Sequence, residues 1–221
     1  DMMHLTPKII SVVCLVSLVV GVSLFYAVPG ASACSRMMSA DNGQAVLTAR
    51  NMDWPVDAGT SLWVLPRGIQ RDGMAGKNSV KWTSKYASIV TASAWLPSGK
   101  SAVSDGMNEQ GLVANMLWLD PSDYGKRDEK IPGLSLALWG QYILDNFATV
   151  ADAVQAIEGS SFQVVSQAIP VTVPGAGTTM SAAVLHLSLT DKSGDSAIIE
   201  YIDGKPVVNR NRNYTIMTNQ P

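Results

Sequence analysis

One stretch of this chain, residues 133–158, repeats its apolar residues with the period of an α-helix. The members lie three or four positions apart in two runs: Leu134, Leu138 and Tyr142, then Val150, Val154 and Ile157. Thr149 and Asp152 resemble a helix-capping pair ahead of the second run, and Gly159 follows it. The pattern predicts two short helices from about 133 to 158, ended by Gly159.

Strand-like segments lie on both sides of this helical pair. They alternate apolar and polar residues or are rich in β-branched and aromatic ones, at 44–54, 60–66, 79–96, 101–107, 111–119, 162–169, 181–190, 197–202 and 206–217. Turns containing Gly, Asn or Asp separate them, at 57–59, 98–100, 108–111, 190–196 and 203–205. Strands, then two helices, then strands again predict an α+β domain: antiparallel sheets with helices packed on a face.

The N-terminal segment has a different character. Residues 9–27 carry no charge, Lys8 precedes them, and the small-residue triplet Ala31-Ser32-Ala33 follows. A basic start, an apolar run and an A-x-A site are typical of a secretory signal peptide, so we expect cleavage after Ala33. The apolar run is close to membrane-spanning length, and an uncleaved anchor helix is therefore the alternative.

These features divide the chain into a signal peptide at 1–33 and one domain at 34–221. The sequence stops at "TIMTNQP" with no helix cap or polar tail, so we expect the domain to be truncated at its C-terminal end. The formal net charge is −2, without a cluster of Lys and Arg, which argues against a nucleic-acid partner. Two cysteines and two histidines are too few for a disulfide framework or a Cys/His zinc site.

Cys34, directly after the predicted cleavage site, allows three interpretations. In the first, it is a small buried hydrophobic residue, which is common for a free cysteine. In the second, it is the acylated residue of a bacterial lipoprotein, although such sites usually carry Leu where this chain has Ala31. In the third, it is a catalytic nucleophile, because cleavage after Ala33 would give Cys34 a free α-amine beside its thiol. Such an amine, with a pKa of roughly 7.7–8.0, can act as base for its own side chain near neutral pH.

A nucleophilic Cys34 needs neighbours, and "LTARNMDW" supplies two candidates. Arg50 is a cation that would lower the thiol pKa, and Asp53 is a carboxylate that would hold the amine. In a regular strand these two side chains face opposite ways, so they share a site only if the strand bends or ends between them. A surface salt bridge is the simpler interpretation of the pair. His186 lies in an apolar alternation, which indicates a structural residue.

These segments together resemble the choloylglycine hydrolase family, the penicillin V acylases and bile salt hydrolases. The matching motifs occur in order across the chain after residue 33: "CSRM" at 34–37, "ARNMDW" at 49–54, "LWVLPRG" at 62–68, "DGMNEQGLVANMLWL" at 105–119 and "MTNQP" at 217–221. Members are N-terminal-nucleophile (Ntn) hydrolases with an αββα sandwich of antiparallel sheets flanked by helices. The resemblance implies this fold, incomplete in the present chain, because a further arginine that the family carries past the last motif is absent.

The resemblance also assigns roles to residues. It makes Cys34 the nucleophile and, through its amine, the base, with Arg50 beside the thiol and Asp53 on the amine. Asn219 would donate its side-chain amide to the oxyanion, and the backbone N–H at about Trp118 would be the second donor. Asn115 is close enough in sequence that the alignment could slip to it.

The implied activity is hydrolysis of a linear amide without a metal or organic cofactor. Apolar residues near the motifs are candidates for an acyl pocket, with core packing as the alternative: Met37, Met38, Trp54, Trp82 and Trp118. Trp54 and Trp118 resemble the exported Gram-negative branch of penicillin V acylases, so we expect penicillin V or acyl-homoserine lactones as substrates, with bile salts as the alternative. The resemblance further implies a periplasmic or secreted enzyme, which contacts a membrane only through its signal segment, and a homotetramer as one assembly. A non-catalytic lipoprotein or membrane-anchored envelope protein is the alternative of a different class.

Overall fold

A computed structural model describes residues 34–54, 56–93, 102–159, 162–173 and 175–220. The predicted signal peptide and the turn predicted at 98–100 lie outside these residues. Within them the strands are β1 Ser35–Ser39, β2 Leu47–Asn51, β3 Ser61–Leu65, β4 Gln70–Asp72, β5 Lys81–Thr83, β6 Ser88–Ser93, β7 Ala102–Asn108, β8 Val113–Trp118, β9 Gly133–Ser135, β10 Gln163–Val165, β11 Ala168–Val173, β12 Gly177–Ala182, β13 Leu185–Thr190, β14 Ser196–Ile202, β15 Lys205–Arg210 and β16 Ile216–Met217. The helices are α1 Leu136–Asn146 and α2 Val150–Glu158, and neither has the length and hydropathy of a membrane-crossing helix.

Two antiparallel sheets organise the domain. The large sheet has seven strands in the order β15-β14-β13-β8-β7-β6-β3, and the small sheet has three in the order β16-β1-β2. Three two-stranded ribbons complete the described part of the chain: β4 with β5, β11 with β12, and β9 with β10, of which the last is parallel. Neighbouring strands of the large sheet are often consecutive in sequence, as expected for hairpin connections.

The two faces of the large sheet pack against different layers. On β13, Leu187 and Leu189 belong to the same core as Trp139 and Ile143 of α1. On the opposite face, the buried Arg36 of β1 donates to the hydroxyl of Thr190. The layers therefore run helices, large sheet, small sheet. This order confirms the predicted α+β class and corresponds to three of the four layers of an αββα sandwich.

The helical pair agrees with its prediction and the strand connections agree in part. The Thr149 hydroxyl caps α2 by accepting from the Asp152 N–H at 3.1 Å, and Gly159 ends the helix. The first helix begins later than predicted, at Leu136, because residues 133–135 pair with β10. The segments around the predicted turn at 57–59 do not form a hairpin, since β2 lies in the small sheet and β3 in the large one. The strands predicted at 181–190 and 206–217 are each divided into two.

Gly106 of β7 lets α1 approach the large sheet closely. A Cβ at this position would lie 2.7 Å from Val90 Cγ1 and 2.8 Å from Leu144 Cδ1 of α1. We expect Gly106→Ala to lower the free energy of unfolding by about 1–3 kcal/mol, because overpacking forces side chains off their rotamers. Urea denaturation measures this change.

A second glycine on the same interface provides the matched control. At Gly140, inside α1, the nearest atom to an added Cβ is Met116 Cγ at 3.6 Å, an ordinary contact. Gly140→Ala should be neutral or stabilise by up to about 1 kcal/mol, because alanine favours a helix interior. Equal effects of the two substitutions would show that the contact at Gly106 does not limit the packing of α1.

Candidate active site

Cys34 lies immediately before β1 and is 4% exposed. It packs in a small apolar cluster with Leu117 of β8 and Met217 of β16, so it sits where the small sheet covers the large one. The first residue of the predicted mature chain is thus placed in the interior between two sheets. A surface attachment point would not require this placement.

Arg50 is the cation beside the thiol. The antiparallel register of β1 and β2 pairs Arg36 with Arg50, so that β2 runs directly alongside β1, the strand that follows Cys34. Arg50 Nη2 lies 3.7 Å from Cys34 Sγ and also donates to the Met116 carbonyl at 3.1 Å. The guanidinium therefore contacts the sulfur and the backbone of the large sheet at the same time. The predicted pairing of Arg50 with the cysteine is therefore present in the geometry.

Asp105 fixes the other end of this guanidinium and was not anticipated from the sequence. Its carboxylate forms an ion pair with Arg50 Nη1, and it also accepts from Asn115 Nδ2 at 2.9 Å. The Arg50 and Asp105 side chains are only 9% and 19% exposed. Because β7 and β8 pair Asp105 with Asn115, both residues face the small sheet. The ion pair therefore connects the two sheets next to the cysteine.

Asp53 lies beyond the end of β2, so the strand does end between Arg50 and Asp53, as a shared site requires. The Asp53 carboxylate accepts from Asn51 Nδ2 at 2.9 Å, and Asn51 Oδ1 accepts from the Ser35 N–H at 2.6 Å. Asn51 thereby links Asp53 to the residue that follows Cys34. The sequence alone gave no role to Asn51, although it lies inside the "ARNMDW" motif.

Asn219 and Trp118 meet at the end of β8. Asn219 Nδ2 donates to the Trp118 carbonyl at 2.5 Å, which uses one of its two hydrogens and leaves the second for another acceptor. Asn115 is turned to the opposite face of β8, where it binds Asp105, whereas the Trp118 side chain borders the cavity next to Cys34. The geometry therefore favours Trp118 over Asn115 at the position beside Asn219.

A narrow apolar cavity of about 40 Å³ opens beside Cys34. Its lining comes from both sheets, from α1 and from the β11–β12 ribbon: Cys34, Arg50, Met52, Trp54, Ala102, Val103, Ser104, Met116, Trp118, Leu136, Ala137, Gln167, Ile169, Ala183 and Leu185. The Trp54 and Trp118 rings lie 5.5 Å apart, tilted by 52°. The cavity places an aromatic wall beside the thiol, which suits a flat or linear apolar group.

Three residues expected at an acyl pocket lie elsewhere. Trp82 packs edge-on against Tyr142 at 5.1 Å and donates its ring N–H to Asp145, so it belongs to the helix-side core. Met38 is buried on the face of β1 that carries Arg36, and Met37 is 57% exposed on the other face. None of the three lines the cavity beside Cys34.

His186 agrees with its structural interpretation. It is fully buried on β13, and its Nδ1 lies 3.5 Å from the Glu200 carboxylate. Burial lowers the pKa of this imidazole to about 4, so the ring is neutral at pH 7. His186 does not line the cavity beside Cys34.

Comparisons with known proteins agree with this geometry. A protein-family model described as linear amide C–N hydrolases of the choloylglycine hydrolase family matches residues 34–221. The penicillin V acylase of Pectobacterium atrosepticum is 45% identical over 218 residues, which are 97% of this chain and 55% of that protein.

Two solved structures are similar to this chain. A penicillin V acylase from Agrobacterium tumefaciens matches with a TM-score of 0.72 and 50% identity, over 85% of this chain and 53% of that one. A conjugated bile acid hydrolase from Clostridium perfringens matches with a TM-score of 0.66 over the same shares, and at 23% identity it shows the fold alone. The chain spans about half the length of the relatives it matches.

Proposed function

Because the chain belongs to the choloylglycine hydrolase family of linear amide C–N hydrolases, we propose that the whole protein is a penicillin V acylase-like hydrolase with Cys34 as its N-terminal nucleophile. The contact between Arg50 Nη2 and Cys34 Sγ at 3.7 Å, at the wall of an apolar cavity, carries this proposal. A cation beside a buried thiol activates a nucleophile, and a neighbouring apolar cavity gives the acyl part of an amide a place to bind.

The reaction needs cleavage after Ala33, which releases the α-amine of Cys34. That amine takes the thiol proton, and the sulfur forms a bond to the amide carbonyl carbon. When the carbon–nitrogen bond breaks, the amine returns the proton to the leaving nitrogen. Water then adds to the thioester, which releases the carboxylic acid and restores the thiol. No metal or organic cofactor takes part.

Nearby side chains would stabilise the charged groups of this reaction: the thiolate, the tetrahedral oxyanion and the α-amine. Arg50 stabilises the thiolate, and its orientation is held by Asp105. The second hydrogen of Asn219 Nδ2 and the backbone N–H near Trp118 would stabilise the tetrahedral oxyanion. Asp53 would hold the α-amine, and its link through Asn51 to Ser35 keeps it close to the start of the chain.

The substrates we propose are penicillin V and acyl-homoserine lactones. A narrow cavity walled by Trp54 and Trp118 favours a flat aromatic or linear acyl group, whereas the rigid four-ring steroid of a conjugated bile salt is much wider than a single aromatic ring. We also propose export to the periplasm or beyond, because residues 1–33 have the pattern of a cleavable signal peptide. Assembly as a homotetramer is the quaternary structure that we propose by analogy with the family.

Intact mass and a substrate panel test the proposal. The full-length protein expressed with its leader should have the mass of a chain that begins at an unmodified Cys34. It should hydrolyse penicillin V and an acyl-homoserine lactone faster than a glycine-conjugated bile salt. A diacylated or uncleaved N-terminus would support the lipoprotein or anchor alternatives instead, and preference for the bile salt would reverse the substrate assignment.

A further inference from the structure

Asn51, the last residue of β2, lies between the start of β1 and the Asp53 carboxylate. It is directly opposite Ser35 in the register of the small sheet. Its Oδ1 accepts from the Ser35 N–H at 2.6 Å, and its Nδ2 donates to Asp53 Oδ2 at 2.9 Å. The orientation of the amide is determined by chemistry, because the Ser35 N–H can only donate and an ionised carboxylate can only accept.

We propose that Asn51 is a positioning residue, which holds the Asp53 carboxylate toward the α-amine of Cys34. This inference rests on the function proposed above for Cys34. Asp53 lies outside β2 and is only partly buried, so its side chain would otherwise sample several rotamers. The bond from Asn51 occupies Oδ2 and leaves other lone pairs of the carboxylate for the amine.

The dimensions of the link support this role. Asn51 is bonded at one end to the backbone of the residue next to Cys34 and at the other end to Asp53. A rigid planar amide between these two points transmits the position of the β1 backbone to the carboxylate. A displacement of a catalytic group by about 1 Å can lower a rate about 100-fold, so such a spacer matters even though it touches no substrate.

A merely structural role predicts a different outcome. If Asn51 only secured the end of the β1–β2 ladder, its removal would change stability and leave the ionisation of the amine unchanged. A positioning role changes the amine itself, because a carboxylate nearby favours the ammonium form and raises the pKa of the amine. Since the amine must be neutral to accept the thiol proton, its pKa sets the acidic limb of the rate–pH profile.

Two substitutions move that limb in opposite directions. Asn51→Asp keeps an acceptor for the Ser35 N–H but replaces the donor to Asp53 with a second carboxylate next to the residue that follows Cys34, so the pKa of the amine should rise and the acidic limb of kcat/KM should move up by about 1 pH unit. Asn51→Ala releases Asp53, so the limb should move to lower pH and kcat should fall about 10- to 100-fold with KM little changed.

The experiment uses the whole protein after removal of residues 1–33. It measures the pH dependence of kcat/KM and kcat for penicillin V hydrolysis, together with the thermal midpoint of unfolding of each variant. Asn42→Ala is the matched control. Asn42 also accepts backbone N–H groups through its side chain, from Gln44 and Ala45 between β1 and β2. It should leave the acidic limb and kcat as in the wild type.

An acidic limb that stays in place in both Asn51 variants would overturn the inference, whatever happens to the thermal midpoint. Because Asn51→Asp retains the bond to Ser35, it remains informative if Asn51→Ala does not fold. The two proposals fail separately. If Cys34→Ala is inactive while the Asn51 variants keep the wild-type profile, only the role of Asn51 is wrong. If Cys34→Ala stays active, the proposed function is wrong.

Discussion

Replacement of Cys34 by alanine should lower kcat/KM for penicillin V by about 10⁴-fold or more, because it removes the sulfur that we propose as the nucleophile. Among the described residues Cys34 is the only cysteine, so no other described thiol can replace it. The fold should survive, because alanine retains the Cβ and the lost sulfur belongs to a small cluster with Leu117 and Met217. Circular dichroism checks the fold, and steady-state kinetics check the rate.

Cys34→Ser is the control for shape. It keeps a nucleophilic atom at the same place, but an alkoxide forms far less readily than a thiolate at neutral pH, so we expect a large but incomplete loss of rate. Unchanged turnover in Cys34→Ala would remove Cys34 from the mechanism. Membrane fractionation that depends on Cys34, with no effect of replacing Arg50, Asp53 or Asn219, would support the lipoprotein alternative.

Asp105→Ala should produce the second large effect, on both stability and activity. The substitution leaves Arg50, whose side chain is 9% exposed, without its carboxylate and leaves Asn115 Nδ2 without its acceptor. Loss of one partner of a largely buried ion pair costs about 3–5 kcal/mol. Urea denaturation should therefore show a loss of that order. Activity should fall as well, because Arg50 is no longer held against Cys34 Sγ.

Two further variants separate charge from position. Asp105→Asn keeps the size of the side chain and an acceptor oxygen but removes the charge. It should therefore be more stable than Asp105→Ala, while its activity should remain low. Arg67→Ala removes an ion pair with Glu109 whose side chains are 63% and 30% exposed, and it should leave the unfolding free energy nearly unchanged because exposed ion pairs contribute little to stability. An Asp105→Ala protein as stable as Arg67→Ala would contradict a structural role for the Arg50 ion pair.

The sequence was most informative where a local rule decides the structure. Helical period and the Thr149 cap fixed α2 to within a residue or two, because both are interactions among neighbours in the chain. The order of motifs, through the resemblance to the family, predicted Cys34, Arg50 and Asn219 as site residues. Their proximity to the cavity or to Trp118 depends on pairing within the small sheet and on its packing against the large one.

Long-range pairing explains what the sequence left open. Asp105 stands 55 residues from Arg50 in a segment whose local pattern indicates only a strand before a turn. Alternation predicts that β2 and β3 are strands but not that they belong to different sheets. In the same way, aromatic character marked Trp82 for an apolar site, and only tertiary packing places it against Tyr142 instead of beside Cys34.

The position of Met116 has a consequence for laboratory evolution of the acyl preference. Met116 lines the cavity, and its carbonyl also accepts from Arg50, so the same residue contacts the cavity and the guanidinium beside Cys34. Residues such as Val103 and Leu136 line the same cavity from β7 and α1. If the proposed function holds, we expect libraries at Val103 and Leu136 to change the size of the accepted acyl group without disturbing the contact between Arg50 and Cys34, whereas a library at Met116 should affect both.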